Sequence, residues 1–269
     1  PKVDASVGMH LWSQAASGTM DIDSGPIMAA SHYFTLTIQG KGGHAGFTHE
    51  AIDPILVSTT IVQAVQAIQS REVNALCPAV IVFTEIHAGT STTIVPENVE
   101  MKGSIRFLYE GGEELRERFE RIVKHTCAAH RVSYSLQFQI GNHLLCNNPE
   151  MVGIAREVAL DILVDPDALT SKVQTMAGED YSDYTLAAPG VFIFLGIYNQ
   201  AKGIIHPHHH PLFDIDEDVL PLGVEMYVRM ALKYLKKAQA QRPEPLARVP
   251  GFSSAAGCRS ESGDTLRIP

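Results

Sequence analysis

The stretch "HYFTLTIQGKGGHAG", His32–Gly46, decides the reading of this chain. Its first seven residues alternate apolar and polar side chains with the period of a half-buried β-strand, and the run ends in a glycine-rich turn. Downstream, "DPILVSTTIVQAVQAIQSR" opens with Asp53 as a helix N-cap and Pro54 at the first helical position. Its apolar residues Ile55, Ile61, Val62, Val65 and Ile68 are expected along one helix face. Two further strand-like runs follow, "AVIVFTEIHA" and "NVEMKGSIRFL", then a charged helix "GEELRERFERIVKHTCAAH" and a strictly alternating strand "VSYSLQFQI". The order β-α-β-β-α-β is that of a split βαβ, ferredoxin-like unit: one antiparallel sheet with two helices on one face, in about 110 residues.

The flanks read differently. After Asn148-Pro149 comes an amphipathic helix, "PEMVGIAREVALDIL", then "GVFIFLGI", a continuous apolar run suited to a strand buried on both faces, and a closing helix from Asp216 to about Ala238. With residues 1–31 these form part of an α/β layer whose remaining strands are absent. The tail, residues 239–269, is rich in Pro, Ser, Arg and Gly without periodicity and reads as disordered.

Composition narrows the function. At 269 residues and 45% hydrophobic content the chain has material for one large or two ordinary domains. A net charge of -9 without any lysine-arginine block argues against a nucleic-acid or anionic-membrane surface and for a small-molecule or peptide ligand. The four cysteines, Cys77, Cys127, Cys146 and Cys258, are scattered and form no CxxC pair, which reads as reduced thiols in a cytoplasmic protein. The start lacks an initiator methionine, as a chain beginning within a longer protein would.

Five features could carry chemistry. His10 lies in "VGMHLWSQ" at the end of an expected strand. The cluster "HPHHHPLFDIDE" puts His206, His208, His209 and His210 on a loop, since two prolines forbid helix there. Neutral imidazole on such a loop suits Zn, Ni, Co or Mn, but the same cluster can be a solvated loop with incidental metal affinity. Glycines 40, 42 and 43 give a flexible turn from which His44 could reach out of the small domain. Arg106 emerges from a strand end and offers a bidentate grip for a carboxylate. The acid pair Glu179-Asp180 in "MAGEDYSDY" sits between apolar segments, though such pairs are usually solvated.

The order of the pieces is specific. "GMHLW", "GPIMAASHYFTLTIQGKGGHAG", "DPI", "GTSTTIVPENVEMKGSIR", "MAGEDYSDY", "PGVFIFLGI" and "HHPLFDIDEDVL" together resemble the amidohydrolase branch of the metallo-aminoacylase/carboxypeptidase family, which includes hippurate hydrolases, N-acyl-amino-acid deacylases and plant auxin-conjugate hydrolases. The resemblance covers roughly residues 3 to 236. It implies an α/β protein in which a partial metallopeptidase-like catalytic domain (1–31 and 146–238) carries an inserted ferredoxin-like lid and dimerisation domain (32–145). It further implies a metal-dependent hydrolase of N-acyl amino acids or related small amides, with two divalent ions (Zn, Mn, Co or Ni) and a homodimer formed through the lid. Carried across by motif, His10 and His209 are metal ligands, His210 and Thr93 line the substrate site, Arg106 binds the substrate carboxylate, and His44 stabilises the oxyanion, often that of the partner subunit. His206 and His208 are then loop residues whose loss leaves metal binding unchanged.

The departures from the family pattern matter. The resemblance places the other ligands and the general base in a Cys-x-His-x-x-x-His segment and a Glu-Glu pair, and neither is present. Glu113 and Glu114 open a lid helix and do not stand in for the pair. Thr93 replaces a common asparagine that helps hold substrate, and Thr48 replaces a frequent proline. Two other readings therefore stand beside the first: a non-catalytic fragment that dimerises through the lid, and a family hydrolase acting on esters or small peptides.

Overall fold

The computed structural model describes residues 2–240, and the α/β class holds. Six long strands and five α-helices carry the architecture: β1 (Ser6–Ala16), β2 (Ala30–Gln39), α1 (Pro54–Ala64), β3 (Ala79–Ala88), β4 (Asn98–Phe107), α2 (Leu115–Ala129), β5 (Ser133–Asn142), α3 (Pro149–Ile162), α4 (Ser182–Ala187), β6 (Gly190–Tyr198) and α5 (Leu220–Ala240). The tail reading, residues 239–269, lies outside the described residues apart from the first two, which close α5.

The central unit is an antiparallel sheet in the order β3-β4-β2-β5, with α1 and α2 on one face. On β2 the alternation seen in the sequence becomes alternating burial: Phe34, Leu36 and Ile38 are buried and Tyr33 is exposed. They meet Ile61, Val65 and Ile68 from the first helical stretch and Phe119 and Val123 from α2 in one core. Asp53 caps α1 by accepting from the Ile55 amide at 2.8 Å. The helix is rotated from the expected face: Val57 and Ser58 are buried, while Ile55 is exposed. The stripe 54, 57, 58, 61, 65, 68 is the one that matches helical spacing, and Ile55 falls outside it.

The glycines before His44 do not make a loose turn. None of Gly40, Gly42 and Gly43 has positive φ among the described residues. Lys41 pairs with Ile52 across the loop, and a Cβ on Gly40 would lie 2.3 Å from the Ile52 carbonyl oxygen. Close approach of two backbone segments, not freedom, explains that residue.

The second layer is a four-stranded sheet in the order β1, β6, Met20–Asp21, Leu169–Thr170. β1 and β6 run parallel, with Ser6 opposite Gly190 and His10 opposite Phe194. Every residue of β6 up to Ile197 is buried, as its continuous apolar run demands. Val191, Ile193 and Leu195 face α3 and α5, while Phe192 and Phe194 pack against Trp12, Ile27 and Leu145 on the other side. Asn148 caps α3 by accepting from the amides of Glu150 and Met151. Among the described residues β1 is an edge strand, and α5 exposes an apolar stripe of Leu220, Val224, Val228 and Leu232.

Two features of the central core yield measurable consequences. At Gly103 a Cβ would lie 2.0 Å from the Val82 carbonyl oxygen and 2.6 Å from the Phe34 ring, which itself packs at a tilt against Phe119. Gly103→Ala should therefore destabilise the fold by about 1–3 kcal/mol in urea unfolding, as overpacking does. The second feature is His32, which is 4% exposed with its Nδ1 unpartnered. Burial, aided by Arg116, pushes its pKa down, so the folded state holds it neutral. The unfolded imidazole takes a proton below about pH 6.5, and stability should fall as pH drops through that value. Urea midpoints at pH 7.5 and pH 5 should diverge more for the wild-type chain than for His32→Leu.

Candidate metal centre

Parallel pairing of β1 and β6 brings His10 and the histidine loop to one place. The loop leaves β6 at Tyr198, and the Ser17 amide, just past β1, donates to the Tyr198 carbonyl at 2.8 Å. From there the chain folds back along β1.

Both ends of the loop are fastened by one carboxylate. Asp216, 2% exposed, accepts from Lys202 Nζ at 2.5 Å, from Ser17 Oγ at 2.6 Å and from Asn199 Nδ2 at 2.7 Å. The Lys202 ammonium, with the Ser17 and Asn199 donors, holds this carboxyl well below the usual carboxylate range. It is therefore charged at neutral pH, where it closes the loop as a carboxylate.

His10 is half-buried, and its Nδ1 lies 2.7 Å from the Leu11 carbonyl oxygen. A carbonyl only accepts, so Nδ1 carries the proton and Nε2 keeps its lone pair. This is the arrangement that prepares an imidazole for a metal ion, with one nitrogen held by a backbone acceptor and the other free to ligate. His209 is exposed and adopts a left-handed backbone, φ 66°, one of two non-glycine residues to do so among those described. Such a conformation in a histidine costs of order 1–3 kcal/mol and clusters at functional sites. His210 is exposed, accepts from the Leu212 amide at Nδ1, and stacks on His206 with ring centroids 4.2 Å apart.

The histidine that the structure sets against His10 is His208, with ring centroids 5.1 Å apart. It was not singled out by the sequence, since nothing in "HPHHHP" distinguishes it from its neighbours. Glu179, from the acid pair that the sequence already offered, lies within electrostatic reach of His10. Burial raises its carboxyl pKa, with Asp180 adding to the rise and the Tyr181 amide and His10 opposing it. The acid pair is thus split: Glu179 is half-buried beside His10, while Asp180 is exposed.

The remaining candidates lie on the central unit. His44 sits on a two-residue strand, Gly43–His44, paired with Ile94–Val95, and the Ala45 amide donates to the Thr93 carbonyl at 2.9 Å. His44 and Thr93 therefore share one exposed tip. His44 Nδ1 accepts from the Gly46 amide at 3.0 Å, which leaves Nε2–H as an outward donor. Arg106 is half-buried at the junction of the two units, where Nη1 donates to the Met176 carbonyl at 2.9 Å. Part of its guanidinium is thus committed to backbone and part is left for another acceptor. A groove along α5, lined by Leu220, Val224, Val228 and Leu232, lies elsewhere and has no histidine in its lining.

A metal ion fits His10 by the state of its free Nε2, but the described residues supply part of a site. Among them no group of three or more His, Cys, Asp or Glu side chains is placed to hold an ion. A catalytic ion usually takes three protein ligands.

Comparison with known proteins accounts for the fold. Residues 30–131 match the peptidase dimerisation domain family. The chain is 35% identical to thermostable carboxypeptidase 2 of Saccharolobus solfataricus, over 87% of this chain and 59% of that protein. It is 32% identical to the N-acetyl-L-cysteine deacetylase of Bacillus subtilis, over 81% and 51% respectively. A crystal structure from Bacillus subtilis, described as a dinuclear metal binding peptidase from the M20 family, superposes with a TM-score of 0.72 at 25% identity, over 87% of this chain and 58% of that one. The chain thus spans between 51% and 59% of the length of these relatives. Residues 30–131 thus carry a peptidase dimerisation domain, and the chain as a whole is similar to peptidases and amidohydrolases, among them one of the M20 family.

Proposed function

We propose that the chain is the larger part of a metal-dependent hydrolase that cleaves the amide bond of N-acyl amino acids or related small amides. The observation that carries the proposal is His10, whose Nδ1–H is held by the Leu11 carbonyl so that Nε2 keeps its lone pair for a ligand. Residues 1–31 and 146–238 are assigned to the catalytic domain and 32–145 to a lid through which two copies pair. His10 and His209 would hold divalent ions, of which Zn, Mn, Co and Ni all suit imidazole. When bound, such ions supply Lewis-acid activation of water and of the amide carbonyl.

The chain's own groups have separable tasks. His44 presents Nε2–H as a donor to the oxygen that gains charge during hydrolysis, and the tip it shares with Thr93 contacts the substrate. Arg106 keeps free donors for a substrate carboxylate, and its bond to Met176 fixes the guanidinium at the junction. His210 lines the same site beside His209. Three cysteines, Cys77, Cys127 and Cys146, are free, and burial pushes the Cys127 thiol up to about 11, which suits a cytoplasmic setting. No helix among the described residues is long and apolar enough to cross a membrane.

Two experiments test this reading. Titration of the metal-free chain with Co(II), followed by its absorption spectrum, should show binding that His209→Ala removes and His206→Ala leaves intact. Equal losses in both variants would overturn the assignment of His209. Hippurate, N-acetyl amino acids and p-nitrophenyl esters should then be assayed with added Mn, Co, Ni or Zn. Metal-stimulated turnover on the amides is expected, and His44→Ala should lower it about 100-fold or more with metal content unchanged, as loss of an oxyanion donor does. Turnover on none of them would leave the dimerising fragment as the reading for this chain.

A further inference from the structure

His208 has a fully satisfied imidazole. Nε2 lies 2.8 Å from the Leu11 carbonyl oxygen, Nδ1 lies 2.9 Å from Ser13 Oγ, and the His208 amide donates to the same Ser13 oxygen at 3.2 Å. The assignment of protons is forced. The carbonyl only accepts, so Nε2 carries the hydrogen; Nδ1 of the neutral ring then accepts from the Ser13 hydroxyl. Ser13 is buried, and the His208 ring lies between Trp12, centroids 5.0 Å apart, and Phe213, at 5.4 Å. With both nitrogens engaged, the ring has no lone pair left for a metal ion.

The Leu11 carbonyl is the shared element. It accepts from His10 Nδ1 and from His208 Nε2, so one oxygen fixes the tautomer of the expected ligand on β1 and the position of the loop. The next residue along, His209, is the one held in the left-handed conformation. A strained backbone persists where neighbouring contacts over-determine it, and the three bonds of His208 are such contacts. We infer that His208 is a positioning residue: it pins the histidine loop to β1 through Leu11 and Ser13 and thereby fixes the backbone from which His209 projects. This rests on the proposed metal reading of His10 and His209, and it replaces the expectation that His208 is an idle loop residue. Partners of this kind typically contribute 10–100-fold to metal affinity.

The test separates pinning from ligation. In the metal-free chain, long-range 1H–15N spectra of the imidazoles should show His208 as the Nε2–H tautomer and His10 as the Nδ1–H tautomer. His208→Ala should raise amide hydrogen exchange across residues 206–213 about tenfold or more and weaken Co(II) binding about 10–100-fold at unchanged stoichiometry. Ser13→Ala, which deletes the other partner, should loosen the loop in the same way, and His208→Gln, which restores a donor to Leu11, should recover part of the affinity. An Nδ1–H tautomer at His208, or exchange and affinity unchanged in His208→Ala, would overturn the inference. So would loss of stoichiometry equal to that of His209→Ala, which would make His208 a ligand. Absence of Co(II) binding by the wild-type chain would instead overturn the metal reading, while the tautomers and exchange rates still decide the pinning.

Discussion

Parallel pairing of Ser6–Trp12 with Gly190–Gly196 is the contact on which the rest of the second layer depends. It joins segments about 180 residues apart, with the whole central unit inserted between them. Because the register puts His10 opposite Phe194, the loop that leaves β6 starts level with the end of β1 and must return along it. A slip of one residue would turn every side chain of β1 to the opposite face and separate His10 from the loop. The fully buried β6 prevents that slip, since both of its faces are committed to apolar cores.

Much of the fold was legible because it rests on local patterns. Strict alternation marked β2 and β5, an Asp-Pro and an Asn-Pro pair marked the starts of α1 and α3, and an uninterrupted apolar run marked β6. The reading failed where long-range packing decides. Ile55 fits an apolar face by type, but the rotation of α1 is set by what β2 and α2 present to it, and Val57 and Ser58 are buried instead. Gly40 read as a source of flexibility because its contact with Ile52 is invisible from sequence.

The candidate site divides along the same line. Motif order pointed to His10, His209, His44, Thr93, Arg106 and His210, because residue type and spacing survive in a sequence. The role of His208 depends on a backbone carbonyl, and which acid of the Glu179-Asp180 pair is buried depends on packing; neither leaves a trace in composition or spacing. A main-chain oxygen that two imidazoles share cannot be read from side-chain identities at all.

The junction between the two units has a mechanical consequence. The chain crosses it twice, near Met28–Ser31 and near Asn142–Leu145, and a third segment reinforces the crossing without being needed for connectivity. Thr175 donates to Ile27 and accepts from Ala29, Ala177 also accepts from Ala29, and Arg106 reaches Met176 from β4. The backbone bonds hold the end of the first crossing to its own unit, and Arg106 adds a link from β4 to the same segment. Of these bonds the one from Arg106 to Met176 joins the central unit to the other, and swinging the central unit would break it at about 0.5–1.5 kcal/mol. Any turn of the central unit about its two crossings carries the tip bearing His44 with it, so the bearing of that imidazole relative to β1 is decided at the junction and not at the tip.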